Sequence, residues 1–186
     1  MRRIALIAGT FLLGVAAGEA LARAASDTEP LDTIPSLDAK RYMGTWYEIA
    51  KFPNFFQRKC ASDTSATYSL LDDGRVRVLN RCRRADGGES AVEGVARQIG
   101  GAASPKLEVR FAPAILSPIP MVWGDYWVID LDEDYQLAAV SEPRRKYLWI
   151  LSRTRQVDAG AYQALLGRLA AKGFDLSRLE RTPHDE

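Results

Sequence analysis

The chain of 186 residues has a single histidine, His184, and only two cysteines, Cys60 and Cys82. The histidine lies at the C-terminal end, far along the chain from both cysteines. The sequence therefore offers few residues for zinc ligation or for cysteine–histidine catalysis. The sequence likewise offers no Ser-His-Asp set, no glycine-rich phosphate loop and no paired catalytic carboxylates. We therefore predict no catalytic residue, no metal site and no cofactor.

The chain also carries almost no excess charge. Lysine and arginine total 25, aspartate and glutamate total 24, and the formal net charge is +1. No run of five or more basic residues occurs, so nucleic acid is not an expected partner. Apolar residues make up 47% of the chain and charged residues 26%, a composition that supports one folded core and argues against disorder.

Long hydrophobic runs are absent except for a short one near the N-terminus. Arg2 and Arg3 precede an apolar stretch over residues 4–17, and alanine recurs at every second position from 20 to 24. This order predicts a secretory signal peptide over residues 1–24. The stretch is short for a membrane span of about 20 residues, so an uncleaved anchor is the weaker alternative. No cysteine lies near the cleavage region, so the lipid anchor of bacterial lipoproteins has no attachment point.

A polar, proline-containing leader over residues 25–36 comes before a series of short β-type segments separated by turn signals. Asp72-Asp73-Gly74 is typical of a tight turn. Alternation of apolar and polar side chains, as in Lys106–Phe111, predicts strands with one buried face. The eight predicted strands span residues 45–52, 65–71, 75–81, 91–99, 106–111, 126–131, 136–140 and 147–152.

The predicted fold is all-β, an eight-stranded antiparallel up-and-down β-barrel with a C-terminal α-helix. Short links favour antiparallel neighbours, and eight such strands can close around one small cavity. The helix begins after Asp158, repeats apolar residues from Tyr162 to Leu169, and ends near Gly173. Its single apolar stripe predicts packing on the outside of the barrel.

Export implies an oxidising compartment, in which Cys60 and Cys82 are expected to form a disulfide. Two buried thiols and one reactive thiol stay open as alternatives. Simple hairpin counting around Asp73 pairs residue 82 with about residue 63. A bridge to Cys60 therefore requires a bulge or loop that takes up the difference.

Three segments resemble the lipocalin family. Gly44-Thr45-Trp46, within RYMGTWYEIAKFPNFFQ, is similar to the G-x-W signature of the first lipocalin strand. The segments over residues 66–80 and 147–154 resemble the second, third and last strands. The similarity is to bacterial outer-membrane lipocalins, plant temperature-induced lipocalins and apolipoprotein D, and it implies a lipocalin domain over residues 37–186. Leu131-Asp132-Glu133 departs from the T-D-Y that many members have there.

The resemblance implies a structural pair at the closed end of the barrel. Trp46 would plug that end, and Arg153 from the last strand would lie across its indole ring. A guanidinium on an indole face contributes about 0.5–2 kcal/mol. We expect this pair to close the barrel and not to bind ligand.

If Trp46 faces inward, residues two apart along each strand share its face, and the resemblance implies the inward faces of the next two strands. The resulting lining is apolar and aromatic with a few polar atoms, which suits a fatty acid, lysophospholipid or other long amphiphile. The alternative is that these side chains fill the interior. The predicted ligand-binding residues are Glu48, Ala50, Ala66, Tyr68, Val76, Val78, Asn80, Val92, Ala96, Val109, Phe111, Tyr126, Val128, Trp149 and Leu151.

The expected function is carriage or storage of a lipid-like molecule by an exported monomer or weak dimer, in the periplasm or associated with the outer membrane. One alternative is an enzyme that uses a cavity cysteine beside Asn80 or Arg84. Another is a tetrapyrrole carrier, although no histidine is placed to ligate haem iron.

Residues 112–123 combine three prolines with six large apolar side chains. The prolines exclude a regular strand or helix. This loop either covers the barrel mouth as a lid or stays exposed as an interaction patch, with Phe55 and Phe56 at the same rim. Our hypothesis is that the rim contacts membrane or lipid aggregates during loading; the alternative is a loop that simply packs on the barrel.

Overall fold

A computed structural model describes residues 29–185. The predicted signal peptide and residues 25–28 of the predicted leader lie outside this range. The described chain forms nine strands: β1 Gly44–Lys51, β2 Cys60–Leu70, β3 Val76–Arg84, β4 Glu89–Gln98, β5 Lys106–Arg110, β6 Gly124–Leu131, β7 Leu137–Ser141, β8 Leu148–Ser152 and β9 Glu180–Arg181.

The sheet closes on itself, because β1 pairs with β8 on one side and with β2 on the other. Each of the strands from β2 to β7 pairs antiparallel with the next one along the chain. The predicted eight-stranded up-and-down barrel is therefore confirmed. The additional strand β9 pairs with β1 at Ala50 and Lys51, beyond the residues of β1 that pair with β2.

The two ends of the barrel differ. A short helix, α1 (Ala39–Tyr42), precedes β1 and begins after Asp38, whose side chain accepts hydrogen bonds from two backbone amides. Leu37, Tyr42 and Trp46 are buried at this closed end. The opposite end, called the open end below, is formed by four connections, over residues 52–59, 85–88, 111–123 and 142–147.

The C-terminal helix α2 (Ala159–Ala171) packs on the outside of the barrel, as predicted. The Asp158 side chain accepts a hydrogen bond from the Ala161 amide, and Gly173 follows the helix with a φ of 85°. Leu165 and Leu169 are fully buried against outward-facing residues of the barrel. Within residues 29–185, neither α1 nor α2 has the length and apolar character that crossing a membrane requires.

The predicted disulfide between Cys60 and Cys82 is confirmed, with a Cα–Cα distance of 5.5 Å. The register of β2 against β3 shifts twice, between Cys60 and Ser62 and between Ser62 and Ser65. These irregularities account for the difference between residue 63, which simple hairpin counting pairs with Cys82, and Cys60, which is bonded to it. Because the two cysteines are bonded to each other, neither the buried-thiol alternative nor the reactive-thiol alternative describes this structure.

Candidate functional site

The closed end of the barrel is filled by the predicted pair. Trp46 is fully buried, and its indole Nε1 donates a hydrogen bond to the Tyr42 carbonyl at 2.9 Å. The guanidinium carbon of Arg153 lies 3.9 Å from the centroid of the Trp46 ring. Burial lowers the pKa of this guanidinium. It donates hydrogen bonds to the carbonyl oxygens of Arg41, Thr45 and Tyr135, at 2.8, 3.0 and 3.2 Å.

Most of the residues predicted to line the cavity belong to one cluster of side chains inside the barrel. Six of them are buried there: Tyr68, Val76, Val78, Ala96, Val128 and Leu151. Four more are partly buried against this cluster: Ala66, Val109, Tyr126 and Trp149. The cluster also contains Leu107, Ala138 and Val140, which we did not predict, although Leu107 lies two residues before Val109 and shares its face.

One of the remaining predicted residues, Val92, is exposed in the upper part of the interior. Asn80 lies directly opposite Val92 between β3 and β4, two positions from the buried Val78 and its partner Gly94. Val92 therefore faces inward, yet 47% of its surface is exposed. β5 pairs with β4 only at Val95–Gln98, so β4 has no partner strand on that side at Val92. The interior is thus a cup that is filled below and accessible above.

Phe111 follows the last residue of β5 and is exposed at the mouth of this cup. Its ring covers Gly94 so closely that a Cβ added there would meet the ring at 2.6 Å. Gly94 is needed because the aromatic ring occupies the space of a side chain. Phe111 and Val92 therefore lie at the mouth of the cup.

One predicted lining residue is wrong. The register of β1 against β8 shifts between Glu48 and Ala50, so Ile49 forms a bulge. Ala50 then lies opposite Ile150, and both pack in the cluster outside the barrel, beneath α2. The alternation resumes one residue late, and Lys51 lies opposite Trp149 on the inner face. The structure therefore removes Ala50 from the inner face and places Lys51 on it.

A polar cluster surrounds the buried carboxylate of Glu48, which lies opposite Leu151 on the inner face. The Lys51 ammonium contacts Glu48 Oε1 at 3.0 Å, and the Thr182 hydroxyl donates to the same oxygen at 2.6 Å. The Gln57 amide donates to Glu48 Oε2 at 2.6 Å and accepts from the Trp149 indole at 2.9 Å. This cluster ties β1, the following loop, β8 and the C-terminal segment together at the rim of the cup.

Three tyrosine hydroxyls meet lower in the barrel. The Tyr126 hydroxyl lies 2.9 Å from that of Tyr42 and 3.0 Å from that of Tyr68. Burial raises the pKa of Tyr68 to about 12 and raises the pKa values of Tyr42 and Tyr126 as well. Two contacts can use only two of the three hydroxyl protons, so the cluster keeps one donor for another acceptor. We call these residues the tyrosine cluster.

The proline-containing loop over residues 111–123 has no buried residue. It forms two 3₁₀ turns, Ala114–Leu116 and Pro120–Val122, and leaves Ile115 85% and Met121 92% exposed. Trp123 packs outside the barrel, with the Arg97 guanidinium 4.2 Å from its ring centroid. The exposed-patch alternative describes this loop.

A second apolar group lies at the rim beside β8. The Phe56 ring centroid lies 5.5 Å from that of Tyr147 and 6.1 Å from that of Trp149. Phe55 is 68% exposed next to it. The mouth of the cup is therefore bordered by apolar side chains from two loops.

A separate cleft of about 900 Å³ opens on the outer surface near the C-terminus. Its charged lining does not suit a hydrocarbon chain, and none of its residues belongs to the cluster inside the barrel. It is lined by Tyr47, Arg153, Thr154, Arg155, Gln156, Arg181, Thr182, His184 and Asp185.

Comparison with known proteins agrees with this geometry. Residues 37–184 match the family model described as a lipocalin-like domain. The chain is 41% identical over 162 residues to temperature-induced lipocalin-1 of Arabidopsis thaliana, covering 87% of each chain. It is 41% identical over 156 residues to the outer membrane lipoprotein Blc of Escherichia coli K12, covering 82% of this chain and 84% of Blc. It is 30% identical over 189 residues to apolipoprotein D of Macaca fascicularis, covering 98% and 93%.

Solved structures share the fold at lower sequence identity. Insecticyanin from the tobacco hornworm Manduca sexta matches with a TM-score of 0.62 and 20% identity, covering 86% of each chain. The cockroach allergen Per a 4 matches with a TM-score of 0.61 and 19% identity, covering 83% of this chain and 91% of the allergen. At these identities the likeness concerns the fold alone.

Proposed function

Since the chain belongs to the lipocalin family, whose members bind small hydrophobic ligands, we propose that it carries or stores a single-chain lipid, either a fatty acid or a lysophospholipid. The observation that carries the proposal is the half-open cup. Its inner face is apolar, it is closed below by Trp46 and Arg153, and Val92 is exposed within its upper part. Such a shape encloses a hydrocarbon chain and leaves a polar head near water.

Native mass spectrometry with lipid extraction, on protein purified from its own envelope, tests this proposal. We expect one fatty acid or lysophospholipid per barrel. Val109→Trp would fill the cup and abolish the bound mass, whereas Val95→Trp makes the same enlargement on the opposite face of the sheet and would keep it. An empty wild-type barrel that takes up no added lipid would contradict the proposal.

We propose that this role is non-enzymatic. Both cysteines of the chain are held in the disulfide, so the alternative of a catalytic cavity thiol has no free sulfur to use. The tetrapyrrole alternative predicts a coloured protein, and we expect the purified protein to be colourless. Visible absorbance above 350 nm that persists through purification would favour the tetrapyrrole carrier.

For the location, we propose export to the cell envelope, with residues 1–24 removed and residues 37–186 folding as the mature domain. The N-terminal pattern of Arg2, Arg3 and the apolar stretch supports export, and disulfides persist in oxidising compartments. The Blc relatives are named outer membrane lipoproteins. Cell fractionation and N-terminal sequencing provide the test. A cytosolic protein that retains residues 1–24 would refute the location.

We further propose that the open end contacts membranes transiently during loading, through residues 112–123, and that the protein acts as a monomer or weak dimer. Support comes from the exposure of Ile115 and Met121 beside the mouth. Replacing both with serine should weaken co-sedimentation with phospholipid vesicles. Ile99→Ser, which removes an exposed apolar side chain at the closed end, is the matched control. Equal binding by all three proteins would refute the contact, and sedimentation velocity would report the oligomeric state.

A further inference from the structure

The bulge at Ile49 brings one cation into the barrel, and from it we propose that Lys51 anchors the anionic head group of the ligand, a carboxylate or a phosphate. The hydrocarbon chain then extends downward, toward the tyrosine cluster. This inference rests on the proposed function and adds the charge of the ligand, its orientation and the residue that selects it.

The position of Lys51 follows from the strand register. It lies directly opposite Trp149, a residue of the interior cluster, so both side chains are on the inner face. The Lys51 side chain is 14% exposed, whereas that of Glu48 below it is 3% exposed. Lys51 therefore lies where the buried interior meets the solvent-accessible mouth, which is the depth at which an amphiphile changes from chain to head group.

The ammonium of Lys51 can accept a second anionic partner. An ammonium has three N–H donors, and the contact with Glu48 accounts for one of them. Glu48 also accepts hydrogen bonds from Gln57 and Thr182, so its carboxylate stays hydrogen-bonded when Lys51 shares its charge. An anionic head group bound to Lys51 would place the negative Glu48, the positive Lys51 and the negative head group in a row. Glu48 would keep its hydrogen bonds in this arrangement.

The surroundings favour a negative head group. The four connections at the open end contain five basic and two acidic residues, whereas residues 71–75, 99–105 and 132–136 at the closed end contain one basic and five acidic residues. Within these connections the basic residues are concentrated at the mouth, which favours an anion there. Glu180 lies opposite Lys51 in the pairing of β9 with β1, but its side chain is exposed, where water screens its charge.

Aromatic side chains at the rim form apolar surroundings for Lys51. Trp149 is held in place by its hydrogen bond to Gln57, and Tyr147 stacks on it with a centroid distance of 5.8 Å. Phe56 packs beside both rings. These rings reduce the access of water to Lys51, which strengthens its attraction for an anion.

The first test compares four ligands of equal chain length on the wild-type protein: hexadecanoic acid, hexadecyl phosphate, hexadecanol and hexadecylamine. We expect the acid or the phosphate to bind about tenfold more tightly than the alcohol, as a charged hydrogen bond implies. The amine should bind more weakly than the alcohol. Preference between the acid and the phosphate distinguishes a fatty acid ligand from a lysophospholipid ligand. Equal affinity for the acid, alcohol and amine would overturn the role of Lys51 while leaving the carrier function intact; no binding of any ligand would instead refute the carrier function.

The second test changes the protein. Lys51→Met should weaken binding of the acid or phosphate about tenfold and leave binding of the alcohol nearly unchanged. Lys51→Arg should retain most of the preference for anions. Lys106→Met is the matched control, because Lys106 lies over the Trp127 ring on the outer face. A parallel loss of acid and alcohol binding in Lys51→Met would mean that Lys51 is structural and would overturn the proposal. Should Lys51→Met fail to fold, Lys51→Arg and the wild-type ligand series decide the question.

Discussion

Among single residues, Glu48 joins segments that are distant in the chain, because its carboxylate accepts hydrogen bonds from Lys51, Gln57 and Thr182. Glu48→Gln keeps the shape but removes the negative charge and replaces one acceptor oxygen with a donor. We expect the free energy of unfolding to fall by about 2–4 kcal/mol. Urea denaturation measures the change. Glu93→Gln, which alters an exposed pair with Arg77, should change the free energy of unfolding far less, because water screens that pair; equal shifts in the two variants would contradict the special role of Glu48.

Because of the tyrosine cluster, we expect the free energy of unfolding to depend on pH in the alkaline range. Burial raises the pKa of Tyr68 to about 12, and the unfolded chain releases the same proton near its ordinary pKa of about 10. The folded state therefore keeps protons that the unfolded state loses, so stability is fully present below pH 10 and falls as pH rises toward 12. Tyr42 and Tyr126 act in the same direction.

Denaturation midpoints measured between pH 8 and 11.5 check this dependence, with absorbance at 295 nm reporting phenolate. Tyr68→Phe should make the decline above pH 10 less steep and should remove one tyrosine from the absorbance change that accompanies unfolding. A midpoint that declines equally in the wild type and in Tyr68→Phe would show that other groups cause the effect.

At the level of strands, alternation predicts the inward face wherever a strand is regular. In β3 and β5 the apolar residues Val76, Val78 and Val109 face the interior as expected, because a period of two matches a sheet with one buried face. In β1 the alternation breaks at Ile49, and nothing in the sequence marks the break. Ile49 and Ala50 are both apolar, and both are buried beneath α2.

For the same reason the charged residue at the rim was missed. Lys51 looks like an outward-facing residue when β1 is treated as regular, and only the register of β1 against β8 turns it inward. Tyr42 lies before the first strand, so alternation assigns it no face. Prediction from sequence therefore covers the barrel and most of its apolar lining, but not the polar contacts made by a bulge and by a capping helix.

The link between β2 and β3 leads to a prediction on stability. The disulfide closes a loop between cysteines 22 residues apart, and the chain-entropy treatment gives about 3 kcal/mol for a loop of this length. The double variant Cys60→Ser/Cys82→Ser should therefore unfold at lower denaturant concentration, by about 3 kcal/mol. Wild-type protein under strong reductant should show the same loss. A double variant as stable as the oxidised protein would mean that the bulged start of β2 is held by its other contacts.

For the whole molecule, the opposite charges of the two barrel ends predict how it approaches a membrane. Basic residues such as Arg58, Lys59 and Lys146 surround the mouth, and acidic residues predominate at the closed end. An anionic bilayer should attract the open end and bring the apolar residues of the loop 111–123 into contact with lipid. Binding to vesicles that contain anionic phospholipid should therefore weaken as salt rises, because mobile ions screen the attraction.

Two charge variants separate the orientation from the net charge. Removing three open-end cations, with Arg58→Gln, Lys59→Gln and Lys146→Gln, should weaken vesicle binding at least about tenfold, since each basic residue near an anionic surface contributes about 1 kcal/mol. Removing three closed-end acids, with Asp72→Asn, Glu133→Gln and Asp134→Asn, changes the net charge by the same amount in the opposite sense. If the open end faces the bilayer, this second variant should bind almost like the wild type, because its altered charges lie a barrel length away and beyond the screening distance. Stronger binding by the second variant, as large as the loss in the first, would mean that net charge alone governs the association and that the molecule has no preferred orientation.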